Sequence, residues 1–137
     1  MRRTPSQTVG PFYSIGLCRR DAAELDPAGL ELSGRLLDGR GEAVVDGMIE
    51  VFDAESRRWG RAATDGDGRF RFRVPASARR LEALVFARGL LRHELTRIYL
   101  DDVGGAEDET LVAARDGEGY RFDIRLQGAG ATRFFEH

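Results

Sequence analysis

A single cysteine, Cys18, excludes an internal disulfide, and the chain suits a reducing compartment, the cytoplasm. Histidine is almost as scarce. His93 and His137 are the only two, too far apart in the chain to form a compact ligand pair, so a self-contained transition-metal site is not expected. No apolar run approaches the roughly 18 residues of a membrane-spanning helix. Met1-Arg2-Arg3-Thr4-Pro5 leads into polar residues without the apolar stretch of a signal peptide. Lysine is absent: all 21 basic residues are arginine, set against 23 acidic ones for a net charge of -2. That balance offers no basic field for nucleic acid or an anionic membrane, while the planar arginine fork suits bidentate contact with carboxylates.

Other chemistries are missing as well. None of Ser6, Ser14, Ser33, Ser56 and Ser77 sits in a Gly-x-Ser-x-Gly elbow, and Cys18 has no neighbouring histidine. No glycine-rich stretch opens a helical pattern, so neither a nucleophilic triad nor a phosphate cradle is indicated. Asp65-Gly66-Asp67-Gly68 has the carboxylate density of a calcium loop without its distal glutamate, and reads as the turn of a hairpin.

What is present is an alternation of period two. Tyr120, Phe122, Ile124 and Leu126 alternate with Arg121, Asp123 and Arg125, the signature of a half-buried strand. Phe70, Phe72 and Val74 alternate in the same way with Arg69, Arg71 and Arg73. Further strands are predicted over 30–37, 48–52, 60–64, 81–87 and 94–100, with a short one over 111–114. The segments 60–64 and 69–74 are expected to pair as a hairpin. Beyond Gly128 and Gly130, Arg133-Phe134-Phe135 is apolar enough that it is expected to pack against its own core or another chain.

With turn residues between the segments and no helical period, the pattern predicts an all-β fold. It is an antiparallel β-sandwich of about six to eight short strands over 30–137, preceded by an extended arm over 1–29. The 137 residues suffice for one domain with a real core. From composition and spacing alone the reading stops there, at a sandwich without a complete active site.

Several stretches, in order, resemble one family. Thr4-Pro-Ser-Gln-Thr-Val-Gly-Pro-Phe12 is similar to the N-terminal arm of the α subunits of the protocatechuate 3,4-dioxygenases, intradiol ring-cleavage enzymes. Val85-Phe-Ala-Arg-Gly-Leu-Leu91, Thr96-Arg-Ile-Tyr99 and Tyr120-Arg-Phe-Asp-Ile-Arg-Leu-Gln-Gly128 resemble later parts of the same subunit, and residues 34–74 follow its outline. The resemblance implies a hetero-oligomer in aromatic catabolism that opens protocatechuate with O₂ to 3-carboxy-cis,cis-muconate. In that family a homologous β subunit holds non-haem Fe(III) with two tyrosines and two histidines, and the α chain has lost those ligands.

By matching motif, Thr8, Gly10, Pro11 and Phe12 would line the mouth of the pocket, and Arg88 would lie near the substrate carboxylate. Against the family pattern, a long loop is missing between Ala54 and Gly60, and the connector between Val74 and Leu84 is replaced. A second reading, a non-enzymatic binding module of transthyretin-like or collagen-binding-repeat type, explains the sandwich equally well. It leaves the arm and Phe86-Ala-Arg-Gly89 unexplained.

Overall fold

The computed structural model describes residues 20–87, 90, 93–101 and 106–135. Among these described residues nine strands, β1 (Leu30–Leu37), β2 (Met48–Asp53), β3 (Arg58–Ala63), β4 (Arg69–Val74), β5 (Arg80–Phe86), β6 (Glu94–Tyr99), β7 (Ala114–Asp116), β8 (Gly119–Arg121) and β9 (Ile124–Arg125), form two sheets. One has the order β4-β1-β8-β7, with β9 also on β1; the other has the order β3-β2-β5-β6. The strand pairings are antiparallel except β1–β8 and β1–β9, which are parallel. The expected sandwich is observed, and its final strand is cut in two.

The alternation read from sequence is the packing rule. Leu32, Leu36, Phe70, Phe72, Val74, Tyr120, Phe122 and Ile124 from the first sheet meet Ile49, Val51, Leu81, Ala83, Val85 and Ile98 from the second in one core. Removing those side chains from water supplies the main driving force for folding. Leu25, from the segment read as the arm, also belongs to this core and is held there by its N–H to the Arg73 carbonyl at 2.9 Å.

Three sequence expectations change. Residues 58–63 and 69–74 do not form a hairpin. The Asp65 N–H does reach the Arg69 carbonyl at 3.0 Å, but β3 then pairs with β2 and β4 with β1. The turn is a bridge between sheets, because both strands carry an inward apolar face and the two faces oppose each other across the core. The strand expected over 111–114 is a 3₁₀ turn, Glu109–Leu111, capped by the Asp108 carboxylate, with the strand following at Ala114–Asp116. The strand from Tyr120 breaks at Phe122-Asp123, where the Asp123 carboxylate accepts the Arg35 N–H at 3.0 Å in place of a backbone carbonyl. The apolar end of the chain packs on its own domain. Phe134 lies against the core, and the Phe135 N–H donates to the Leu95 carbonyl at 2.8 Å.

Two turns are built on aspartate. The Asp38 carboxylate accepts the N–H groups of Arg40 and Glu42, and that of Asp65 accepts those of Asp67 and Arg69. These backbone donors hold both carboxyls below their ordinary pKa, against a smaller opposing effect of burial. Asp65 is therefore engaged in shaping its own turn. A pKa lowered on folding contributes stability that is complete above about pH 4 and is lost as pH falls through the lowered values. The urea midpoint is expected to drop below that range, and Asp65→Asn with Asp38→Asn to flatten the drop. An acid limb identical in parent and double variant would show that these turns do not titrate with folding.

Candidate functional site

The residues singled out from sequence, Thr8, Gly10, Pro11, Phe12 and Arg88, lie outside the described residues. Their described neighbours define one end of the second sheet. Ala87 is buried, the Leu90 N–H donates to its carbonyl at 3.1 Å, and Leu90 packs against the core. Phe86, the last residue of β5, stacks against His93 at 5.3 Å between ring centroids and 41° between planes. His93 is thus a packed residue at the base of the connection between β5 and β6.

From that end, the outward face of the second sheet runs in rows set by strand register. Phe52 lies opposite Trp59 on β3 and Glu82 on β5; Glu50 lies opposite Arg61 and Leu84; Leu84 lies opposite Leu95 on β6. Together they line a shallow groove of about 450 Å³. Phe52 and Trp59 stand 41% and 54% exposed at its far end, beside the tight Ala54–Arg57 turn. Asp53 organises that turn by accepting from the Ser56 hydroxyl at 2.7 Å, and Arg57 adopts a left-handed φ of 59°.

The charges on this face are matched inside the chain. Arg61 pairs with Glu50, and Arg97 bridges Glu82 at 3.3 Å and Glu107 at 2.5 Å. The backbone N–H of Glu107 itself and the Tyr99 hydroxyl, 2.9 Å away, lower the pKa of the Glu107 carboxyl. The Arg97 and Arg133 guanidinium groups lie over the Phe135 ring at 4.6 and 5.5 Å. Through these contacts the 133–135 segment covers the outer edge of β6. Sequence reading missed this network, because its members are scattered over four segments and only the strand register brings them together.

An iron site does not fit the described residues. A metal-bound tyrosine must lose its proton, yet burial and then the hydrogen bond to Asp101 push the Tyr120 phenol up to about 12. The Tyr99 phenol is committed to Glu107, and His93 to Phe86. Among the described residues no group of three or more His, Cys, Asp or Glu side chains could hold a metal ion.

The fold has close counterparts. The catechol 1,2-dioxygenase of Acinetobacter radioresistens superposes with a TM-score of 0.61 at 17% identity, over 99% of this chain and 67% of that one. That likeness places the architecture among the intradiol dioxygenases. No protein-family model matches the sequence. Two curated relatives match from end to end. The protocatechuate 3,4-dioxygenase alpha chain of Burkholderia cepacia is 30% identical, over 99% of this chain and 98% of its own length. That of Pseudomonas putida is 33% identical, over 97% and 96%. The chain belongs to the family of protocatechuate 3,4-dioxygenase alpha chains and is a dioxygenase subunit. Both alignments run over 193 positions against 137 residues here, so the difference is sequence that the relatives carry and this chain lacks.

Proposed function

We propose that this chain is the non-metal-binding α subunit of a cytoplasmic protocatechuate 3,4-dioxygenase. It pairs with a homologous β subunit, which holds Fe(III), and the pair cleaves protocatechuate with O₂ to 3-carboxy-cis,cis-muconate. The observation that carries the reading is the end-to-end match to two alpha chains. The poor fit of the described residues to iron is consistent with a metal held in trans. On this reading Thr8, Gly10, Pro11 and Phe12 line the pocket mouth. Arg88 holds the substrate carboxylate, for which its planar, permanently charged fork is suited. A free-standing binding module is not favoured, since the relatives and the structural counterpart are dioxygenases.

The test is co-expression with the β chain from the same organism, followed by a ring-opening assay. The pair is expected to consume protocatechuate, while this chain alone shows neither turnover nor tyrosinate-to-iron colour. A stoichiometric red ferric centre in the isolated chain, or a pair that forms without turnover, would overturn the reading.

A further inference from the structure

The two sheets present different outward faces. On the first, Arg35, Arg69, Arg71, Arg73 and Arg121 stand among Glu24, Glu31, Asp65 and Asp123, with Arg71 paired to Glu31 and Arg121 to Asp123. Covering that face would desolvate a dense field of charges, which is costly unless the partner matches them. On the second, the cations are already paired with Glu50, Glu82 and Glu107. Between those pairs lie Phe52, Trp59, Leu84 and Leu95, an aromatic and aliphatic centre inside a charged rim. Buried protein interfaces share that anatomy, with aromatic anchors contributing most of the affinity.

The edges limit how a partner can approach. Next to β6, the N–H groups of Phe135 and Ala113 donate to the carbonyls of Leu95 and Tyr99 at 2.8 and 2.9 Å, so a strand cannot be added there. On the β3 side, the Ala22 carbonyl and Leu25 side chain crowd the inward face at Gly60 and leave the Trp59 face open. The short Ala54–Arg57 turn does not rise over the groove. The exposed aromatic face itself favours a face-to-face approach, one sheet on another, as sandwich layers pack.

From this we infer that the groove around Trp59 and Phe52 is the docking surface for the iron-bearing β chain. The assignment rests on the α-subunit reading above. It commits to that occupant for two reasons. The internally neutralised rim calls for an apolar partner surface, and the relatives are alpha chains by name. Leu84 of the groove lies on β5 two residues before Phe86, the last residue of that strand, so a chain seated there lies on the strand that leads into the β5–β6 connection.

Trp59 is the only tryptophan in the chain, which gives a direct probe. The chain is labelled with 5-fluorotryptophan and titrated with unlabelled β chain, and the single ¹⁹F resonance is followed. The resonance is expected to move and lose its solvent isotope shift on pairing. Phe52→Glu with Trp59→Glu, both at exposed positions, is expected to retain the parent's circular dichroism and melt while pairing at least tenfold more weakly. An unchanged resonance in a complex that forms and turns over, or a folded double variant that pairs normally, would overturn the docking surface and leave the α-subunit reading intact. A shift that grows with concentration in the isolated chain would assign the face to a second copy. A resonance already shielded at high dilution would assign it to the chain's own covering. Either result overturns the inference. Failure of the parent chain to pair at all would remove both readings together.

Discussion

Arg88→Ala, in an assembly that still forms, is expected to lower kcat/KM for protocatechuate by roughly 10- to 150-fold, the equivalent of one charge-assisted hydrogen-bond set worth about 1.5–3 kcal/mol. The substrate carboxylate takes no part in bond breaking and keeps its charge throughout. Its recognition therefore contributes about equally to the ground and transition states, and most of the loss should fall on KM rather than kcat. Plain catechol has no carboxylate, so its turnover serves as the internal control and should change little. Arg88→Lys should recover only part of the loss, because a single ammonium cannot reproduce two parallel N–H donors. Equal losses for catechol and protocatechuate would show that Arg88 supports the assembly or the fold and does not read the carboxylate.

The second large effect is expected at Gly34, in the middle of β1. A Cβ there would stand 1.8 Å from the Phe122 carbonyl oxygen and 2.9 Å from the Phe70 ring. The Phe122 N–H donates to the Ser33 carbonyl at 2.8 Å, so the parallel strand is held against β1 where no side chain fits. Gly34→Ala must push backbone apart, which typically costs about 1–3 kcal/mol and sometimes more. A fall of roughly 3–5 °C in Tm for each kcal/mol follows for a domain of this size. Gly66→Ala is the control, since a Cβ at that position meets nothing within 4 Å. A Gly34→Ala protein that melts with the parent would show that residues 120–125 are not seated on β1 as described.

Alternation of period two located β1, β2, β4, β5 and β6 to within a residue or so, because a strand with one wet face and one dry face writes that fact directly into its sequence. Pairing was harder to read. Asp65-Gly66-Asp67-Gly68 announces a reversal of the chain, but a reversal does not say which sheet each arm joins. That choice is made by pairings such as Leu32 with Phe72 in the first sheet and Ile49 with Ala62 in the second, contacts between residues far apart in the chain or on strands the turn does not join. The break at Asp123 was hidden for a related reason. Its carboxylate replaces a ladder hydrogen bond, which no alternation of polar and apolar residues records. The Phe52–Trp59 groove was not read from the sequence either: the shortened loop between Ala54 and Gly60 was, but an outward aromatic on a strand looks like any other position until the register sets Phe52 opposite Trp59. Arg88 and the arm residues were reached through whole motifs in resemblance to relatives.

The parallel pairing of β8 and β9 with β1 bears on how the chain is made. The four strands of the second sheet lie within residues 48–99, each near its partner in sequence, so they can assemble while synthesis continues. The first sheet cannot close until residues 119–125 have left the ribosome, because β1 waits on that side for strands made some ninety residues later. Long-range closure of this kind slows folding and leaves one edge of β1 unsatisfied in the meantime. Nascent chains stalled before Gly119 should therefore carry a formed second sheet beside an open, adhesive first one, and they are the species on which chaperones are most needed.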